Sequence, residues 1–136
     1  MNRNTYLTVL STPDYLNGVV ILYISIRRVS DINFVVLCNE ELPDYVFGTL
    51  SQLKIPYIVA KDDVLPECIE ALPPEVRKMK FGDWEKTFFK LKMFELTQYD
   101  KICYLDSDMI VTENIDDLFD APHMSAVPDS VFYQKK

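Results

Sequence analysis

Asp106 and Asp108 stand one serine apart between two apolar stretches, in KICYLDSDMIVT over residues 101–112. Two carboxylates at i and i+2 on the edge of a core are costly unless they are paired, hydrogen-bonded or bound to a cation. As hard oxygen ligands they suit Mn²⁺ or Mg²⁺, an ion that would also take diphosphate oxygens and keep water in the rest of its shell. Such an ion is a Lewis acid for a departing diphosphate. An Asp-Ser-Asp turn on a surface has the same composition. The apolar flanks favour the metal.

Lys90 lies within a largely apolar stretch, with Met93 and Phe94 one turn on. It could reach a phosphate from a rigid element, or it could snorkel to water. Tyr15 could stack on a base or pack the sheet. His123, the only histidine, is expected to be exposed in a Pro-bounded loop. With one histidine so late in the chain, Ser/His/Asp and Cys/His templates find no support, and Asp62 and Asp63 read as loop residues. Only Gly18, Gly48 and Gly82 occur, which excludes a G-x-G-x-x-G turn and a Walker loop.

The elements that must position these residues follow from the patterning. Tyr6 to Leu10 reads as a strand, and STPDYLNG then carries helix-start signals, with Thr12 as N-cap, Pro13 at the first helical position and Asp14 in the first turn. The helix is expected over Tyr15 to Val29. FVVLC at 34–38 is the continuous apolar run of a parallel strand covered on both faces. A helix over Leu42–Leu53 and a strand over Tyr57–Ala60 follow. Residues 61–83, with four of the eight prolines, form a long connection with room for one short helix. Trp84 to Gln98 reads as a packed helix leading into the aspartate strand. Asn114 or Asp116 caps a short helix through Phe119, and Met124–Val127 forms a last strand. Alternating strands and helices imply an α/β fold with a mainly parallel sheet.

The 136 residues fit one domain, and a chain of this size buries roughly two-thirds of its unfolded surface. The 21 acidic and 14 basic residues give a net charge of -7, which opposes binding to nucleic acid or anionic membrane. The basic residues Arg77, Lys78, Lys80, Lys86, Lys90 and Lys92 cluster upstream of the aspartates and read as a solvated face. Cys38, Cys68 and Cys103 lack a CxxC pairing and read as reduced thiols, Cys38 and Cys103 in the core. No stretch reaches the ~18 apolar residues of a membrane span. A soluble, cytoplasmic protein is the expectation.

Taken in order, LSTPDYLNGVVIL, FFKLKMFELTQYDKICYLDSDMIV, ENIDDLFDAP and SAVPD resemble the catalytic domain of glycosyltransferase family 8, the family of glycogenin, galactinol synthase and bacterial lipopolysaccharide sugar transferases. The resemblance spans nearly the whole chain. It implies a GT-A, Rossmann-like fold and a hexosyltransferase that uses a UDP-sugar donor and Mn²⁺ (or Mg²⁺) and retains anomeric configuration. By position, Asp106 and Asp108 match the metal-binding D-x-D, and Ser107 the residue near the donor ribose. Leu10, Ser11 and Thr12 match the uridine-binding end of strand one, Tyr15 the tyrosine near the uracil, and Lys90 the lysine near the donor diphosphate. The family's upstream arginine falls at Arg77 or Lys80.

The family's third metal ligand, a histidine, lies beyond Lys136 and is not matched by His123. The chain therefore resembles the nucleotide half of a transferase, residues 1–136 of a catalytic domain truncated at its C-terminus. The acceptor is open: a sugar, a lipid-linked glycan or a protein. A homo-oligomer is compatible with an exposed half. The alternatives are a non-catalytic module that binds UDP and Mn²⁺ or another chain, and a sugar nucleotidyltransferase. Enzymes of the latter kind favour a Gly- and Arg-rich loop after strand one, which STPDYLNG lacks.

Overall fold

The computed structural model describes residues 3–128, without the side chains of residues 81–86. Four strands form one parallel sheet: β1 (Asn4–Leu10), β2 (Asn33–Asn39), β3 (Tyr57–Ala60) and β4 (Lys101–Tyr104), in the order β3-β2-β1-β4. Helix α1 (Leu16–Arg27) links β1 to β2, and α2 (Asp44–Gln52) links β2 to β3. The chain then passes through α3 (Glu67–Glu70), α4 (Pro74–Phe81) and a 3-10 helix, Gly82–Glu95, to reach β4 on the other side of β1. This is the Rossmann-like α/β arrangement expected from the sequence.

Strand periodicity decides which residues face which layer. Tyr6 and Leu10 of β1 and Phe34, Val36 and Cys38 of β2 join Leu16, Val19, Leu22, Val46 and Leu50 in one buried cluster, so α1 and α2 cover the same face. Leu7, Val35 and Leu37 meet Phe89, Met93 and Leu96 on the opposite face, beneath the 3-10 helix. The crossing from one face to the other falls between β1 and β4. In open α/β sheets the crevice at the carboxyl ends of two such strands is where ligands bind.

Several boundaries differ from the sequence reading. Thr12 is extended (φ −135°, ψ 150°) and its hydroxyl makes no capping bond; a 3-10 turn, Pro13–Tyr15, leads into α1 instead. The connection after β3 holds two helices, not one. The packed helix before β4 winds as a 3-10 helix, with three residues per turn rather than 3.6. That winding aligns Phe89, Lys92 and Glu95, so Phe89 and Lys92 are buried while Leu91 and Phe94 face solvent. Trp84 and Lys86, counted above among the apolar and basic residues of this segment, have side chains outside the described residues. Met124–Val127 is not a strand: Met124 has φ 64°, prolines stand on either side, and Met124 and Val127 are exposed, leaving no apolar face to bury.

The basic cluster is not wholly a solvated face either. Lys92 is 9% exposed, with Nζ 2.6 Å from Oδ1 of Asp63 and 3.1 Å from Oε2 of Glu95. The Asp63 hydrogen bond first, then that of Glu95, holds the ammonium above its ordinary pKa, and Lys92 in turn holds the Asp63 carboxyl below the usual range. Among the cysteines, Cys38 is buried, Cys103 half-buried and Cys68 exposed, all three free. Burial pushes the Cys38 thiol up to about 12. His123 is exposed, as expected.

Candidate functional site

β1 and β4 run in register from Asn4↔Lys101 to Leu7↔Tyr104, and the Leu105 amide extends the ladder by donating to the Leu7 carbonyl at 2.9 Å. The chain leaves the sheet immediately afterwards. Leu105 is buried, whereas Asp106 and Asp108 are exposed on either side of a half-buried Ser107. Next to them, β1 ends in a buried Leu10 and half-buried Ser11 and Thr12. Tyr15 follows, 54% exposed, so its ring does not pack the core and is available to a ligand.

The turn carrying the aspartates is held against α1 by main chain. A Cβ placed on Gly18 would fall well inside van der Waals contact of the Ser107 carbonyl oxygen. Only glycine permits this approach. About two turns further along α1, Ser25 Oγ accepts the Val111 amide at 3.0 Å, which fixes the segment after the aspartates to the same helix.

Tyr104 connects the aspartates to Lys90. Its hydroxyl donates to Oδ1 of Asp106 at 2.8 Å, and the Lys90 ammonium lies 6.0 Å from its ring centroid, at the outer limit of a cation–π contact. Burial, then the hydrogen bond to Asp106 and the charges of Asp106 and Asp108, push the phenol well above its ordinary pKa, so it remains a donor. Among the described residues Lys90 makes no ion pair, and its exposed ammonium keeps its charge available. A cation pocket can be tested on this donor set. Two exposed carboxylates on a turn fixed by main-chain contact suit a hard divalent ion. Among the described residues no group of three or more His, Cys, Asp or Glu side chains forms a cage, so such an ion would draw its remaining ligands from substrate and water.

A cavity of about 500 Å³ opens at the other, amino end of the sheet, between Asn4, Arg27, Ser30, Asn33, Asn114 and Asp116. Its polar walls are bonded to one another. Tyr6 Oη and Ser30 Oγ each donate to Oδ1 of Asp116 at 2.6 Å, and Asn114 Nδ2 donates to Oδ2 at 3.0 Å. These bonds make Asp116 a structural joint between β1, the end of α1 and the segment after β4.

The structure thus brings Asp106, Ser107 and Asp108 beside the Leu10–Thr12 end of β1, and Lys90 beside Asp106 through Tyr104. Sequence reasoning missed Tyr104 and Gly18. The Y-x-D spacing carried a signal for Tyr104, because residues two apart on an extended segment share a side.

A family model described as glycosyl transferase family 8 matches residues 7–134. The chain is 31% identical over 130 residues to glycogenin-1 of Homo sapiens, covering 95% of this chain and 36% of that protein. It is 28% identical over 131 residues to UDP-glucuronate:xylan alpha-glucuronosyltransferase 2 of Arabidopsis thaliana, covering 96% of this chain and 20% of that protein. With inositol phosphorylceramide glucuronosyltransferase 1 of Arabidopsis thaliana it shares 37% identity over 119 residues, covering 87% of this chain and 20% of that protein. Among the described residues no helix is long and apolar enough to cross a membrane.

Proposed function

The chain belongs to glycosyl transferase family 8, and within that family we propose that it is the donor-binding part of a hexosyltransferase, binding a UDP-sugar with a divalent cation for retaining transfer to an acceptor. The observation that carries this reading is the convergence of Lys90, Tyr104 and the Asp106–Asp108 turn on the carboxyl end of β4, beside the end of β1 and an exposed Tyr15. A bound Mn²⁺ or Mg²⁺ supplies Lewis-acid neutralisation of the departing diphosphate.

Asp106 and Asp108 are the residues that would hold it. Ser107, between them, faces the donor ribose, while Tyr15 offers its ring to the base and Leu10–Thr12 offer main-chain groups to the base edge. Lys90, free of ion pairs among the described residues, places a positive charge against a phosphate oxygen and stabilises the charge that grows there as the sugar leaves. Since this chain spans 20% to 36% of the relatives above, the acceptor, whether a sugar, a lipid-linked glycan or a protein, is the business of the whole protein.

Titration calorimetry with UDP, with and without Mn²⁺, tests the reading. The expected result is binding that needs Mn²⁺ and that falls at least about 100-fold in Asp106→Ala/Asp108→Ala, at or beyond the upper end of what losing a ligand's outer-shell partner costs. Absence of binding, or binding indifferent to that double variant, rejects it.

A further inference from the structure

We propose that Tyr104 is a positioning residue of this site: its hydroxyl fixes one oxygen of Asp106, leaving the other for the cation, and its ring carries the Lys90 ammonium beside the same carboxylate. The inference rests on the donor-and-cation reading above and assigns a role to a residue that the reading itself does not need.

Three observations support it. Tyr104 is half-buried on the face of β4 that packs with Phe89, Met93 and Leu96, where a phenylalanine would fill the same space. The hydroxyl is therefore surplus to packing, and desolvating it is worthwhile only for what it bonds, which is Asp106 Oδ1 at 2.8 Å. Among the described residues Tyr104 is the one side chain donating to Asp106, so one oxygen is fixed and the other left open. The ring lies 6.0 Å from Lys90 Nζ. One side chain therefore touches both the candidate ligand and the candidate phosphate-binding lysine, which come from different elements. Carboxylates that bind metals are themselves held by hydrogen bonds, and losing such a bond costs roughly 10- to 100-fold in affinity.

The test uses the chain as it is, with Mn²⁺ affinity in the presence of UDP read from the electron paramagnetic resonance of free Mn²⁺, and UDP affinity read by calorimetry at saturating Mn²⁺. Tyr104→Phe removes the hydroxyl and keeps the ring: Mn²⁺ affinity should fall about tenfold. Tyr104→Leu removes both and should weaken UDP further than Tyr104→Phe does, because Lys90 loses its support. Tyr6→Phe is the control, since it deletes a phenol–aspartate bond on the opposite face of the same sheet; its Tm should drop while Mn²⁺ affinity holds. Tyr104→Phe binding Mn²⁺ as tightly as the parent overturns the inference and leaves the proposed function standing. A loss in Tyr6→Phe equal to that in Tyr104→Phe overturns it too, because general loosening would then account for both. A parent chain that binds neither Mn²⁺ nor UDP refutes the proposed function first.

Discussion

The two faces of the sheet each hold a tyrosine bonded to an aspartate, and they use the pair oppositely. At the amino end Asp116 receives Tyr6 and Ser30 on one oxygen and Asn114 on the other, and a Phe119 ring packs edge-on against Tyr6 at 4.9 Å. At the carboxyl end Asp106 receives, among the described residues, the side chain of Tyr104 alone, stays exposed, and stands two residues from a second exposed carboxylate. A saturated carboxylate joins parts of a fold. One that is held but unsaturated can take a ligand. The difference separates structural from functional acids where residue type does not.

Substitution at Asp116 gives the largest expected effect on the fold. Asp116→Ala strands three donors, and with a charged acceptor lost the chain should be destabilised by about 3 kcal/mol. Its Tm, followed by circular dichroism, should fall by roughly 10 °C. UDP and Mn²⁺ affinities measured well below that Tm should hold. An Asp116→Ala chain that melts like the parent would erase the contrast between the two faces.

Gly18→Ala tests the carboxyl end without touching a charge. Alanine is favoured over glycine within a helix by about 1 kcal/mol, so α1 itself gains. Its methyl group, however, must displace the Ser107 carbonyl and with it the aspartate turn. The expected outcome is Mn²⁺-dependent UDP binding weakened by about tenfold or more, the scale of a disturbed ligand support, with α1 intact by circular dichroism. Unchanged binding would mean that the turn moves freely and that its contact with α1 does not set the spacing of the carboxylates.

The smallest effect concerns acid. Burial raises the Asp116 carboxyl, but hydrogen bonds from Ser30, Tyr6 and Asn114 outweigh it and hold it below its ordinary 3.8. The folded carboxylate therefore keeps its charge at a pH where the unfolded one has taken up a proton. Its contribution to stability is complete above 3.8 and is lost as pH falls through the lower folded value. Melting the parent and Asp116→Asn from about pH 6 down to about pH 2 should show a shallower acid slope in the variant. Equal slopes would assign acid sensitivity to other groups, Asp63 beside Lys92 among them.

The sequence made the sheet legible because its signals are local. FVVLC and the run before Asp106 are continuous apolar stretches, and Pro43 with Asp44 announces α2 within a residue of its start. The aspartate pair was legible for the same reason. What it withheld depends on contacts between distant positions. Nothing near Lys92 says that 3-10 winding will turn it inward toward Asp63, and nothing near Asp116 names Tyr6, 110 residues away. The expected Met124–Val127 strand failed for a related reason: its apolar residues have no partner face among the described residues, and Met124 turns through positive φ.

The bond between Tyr6 and Asp116 also constrains the order of events as the chain is made. β1 leaves the ribosome before the rest of the sheet, yet β4, its neighbour in the sheet, is about a hundred residues behind it, and the carboxylate that receives its phenol comes later still. Loop closure over such separations is slow relative to local helix and strand pairing. The β1–β2–β3 segment with α1 and α2 can gather early from short-range contacts. The edge of β1 that will receive β4 waits open until translation has passed residue 104, and so the interval between those two moments is when a nascent chain is most exposed to mispairing.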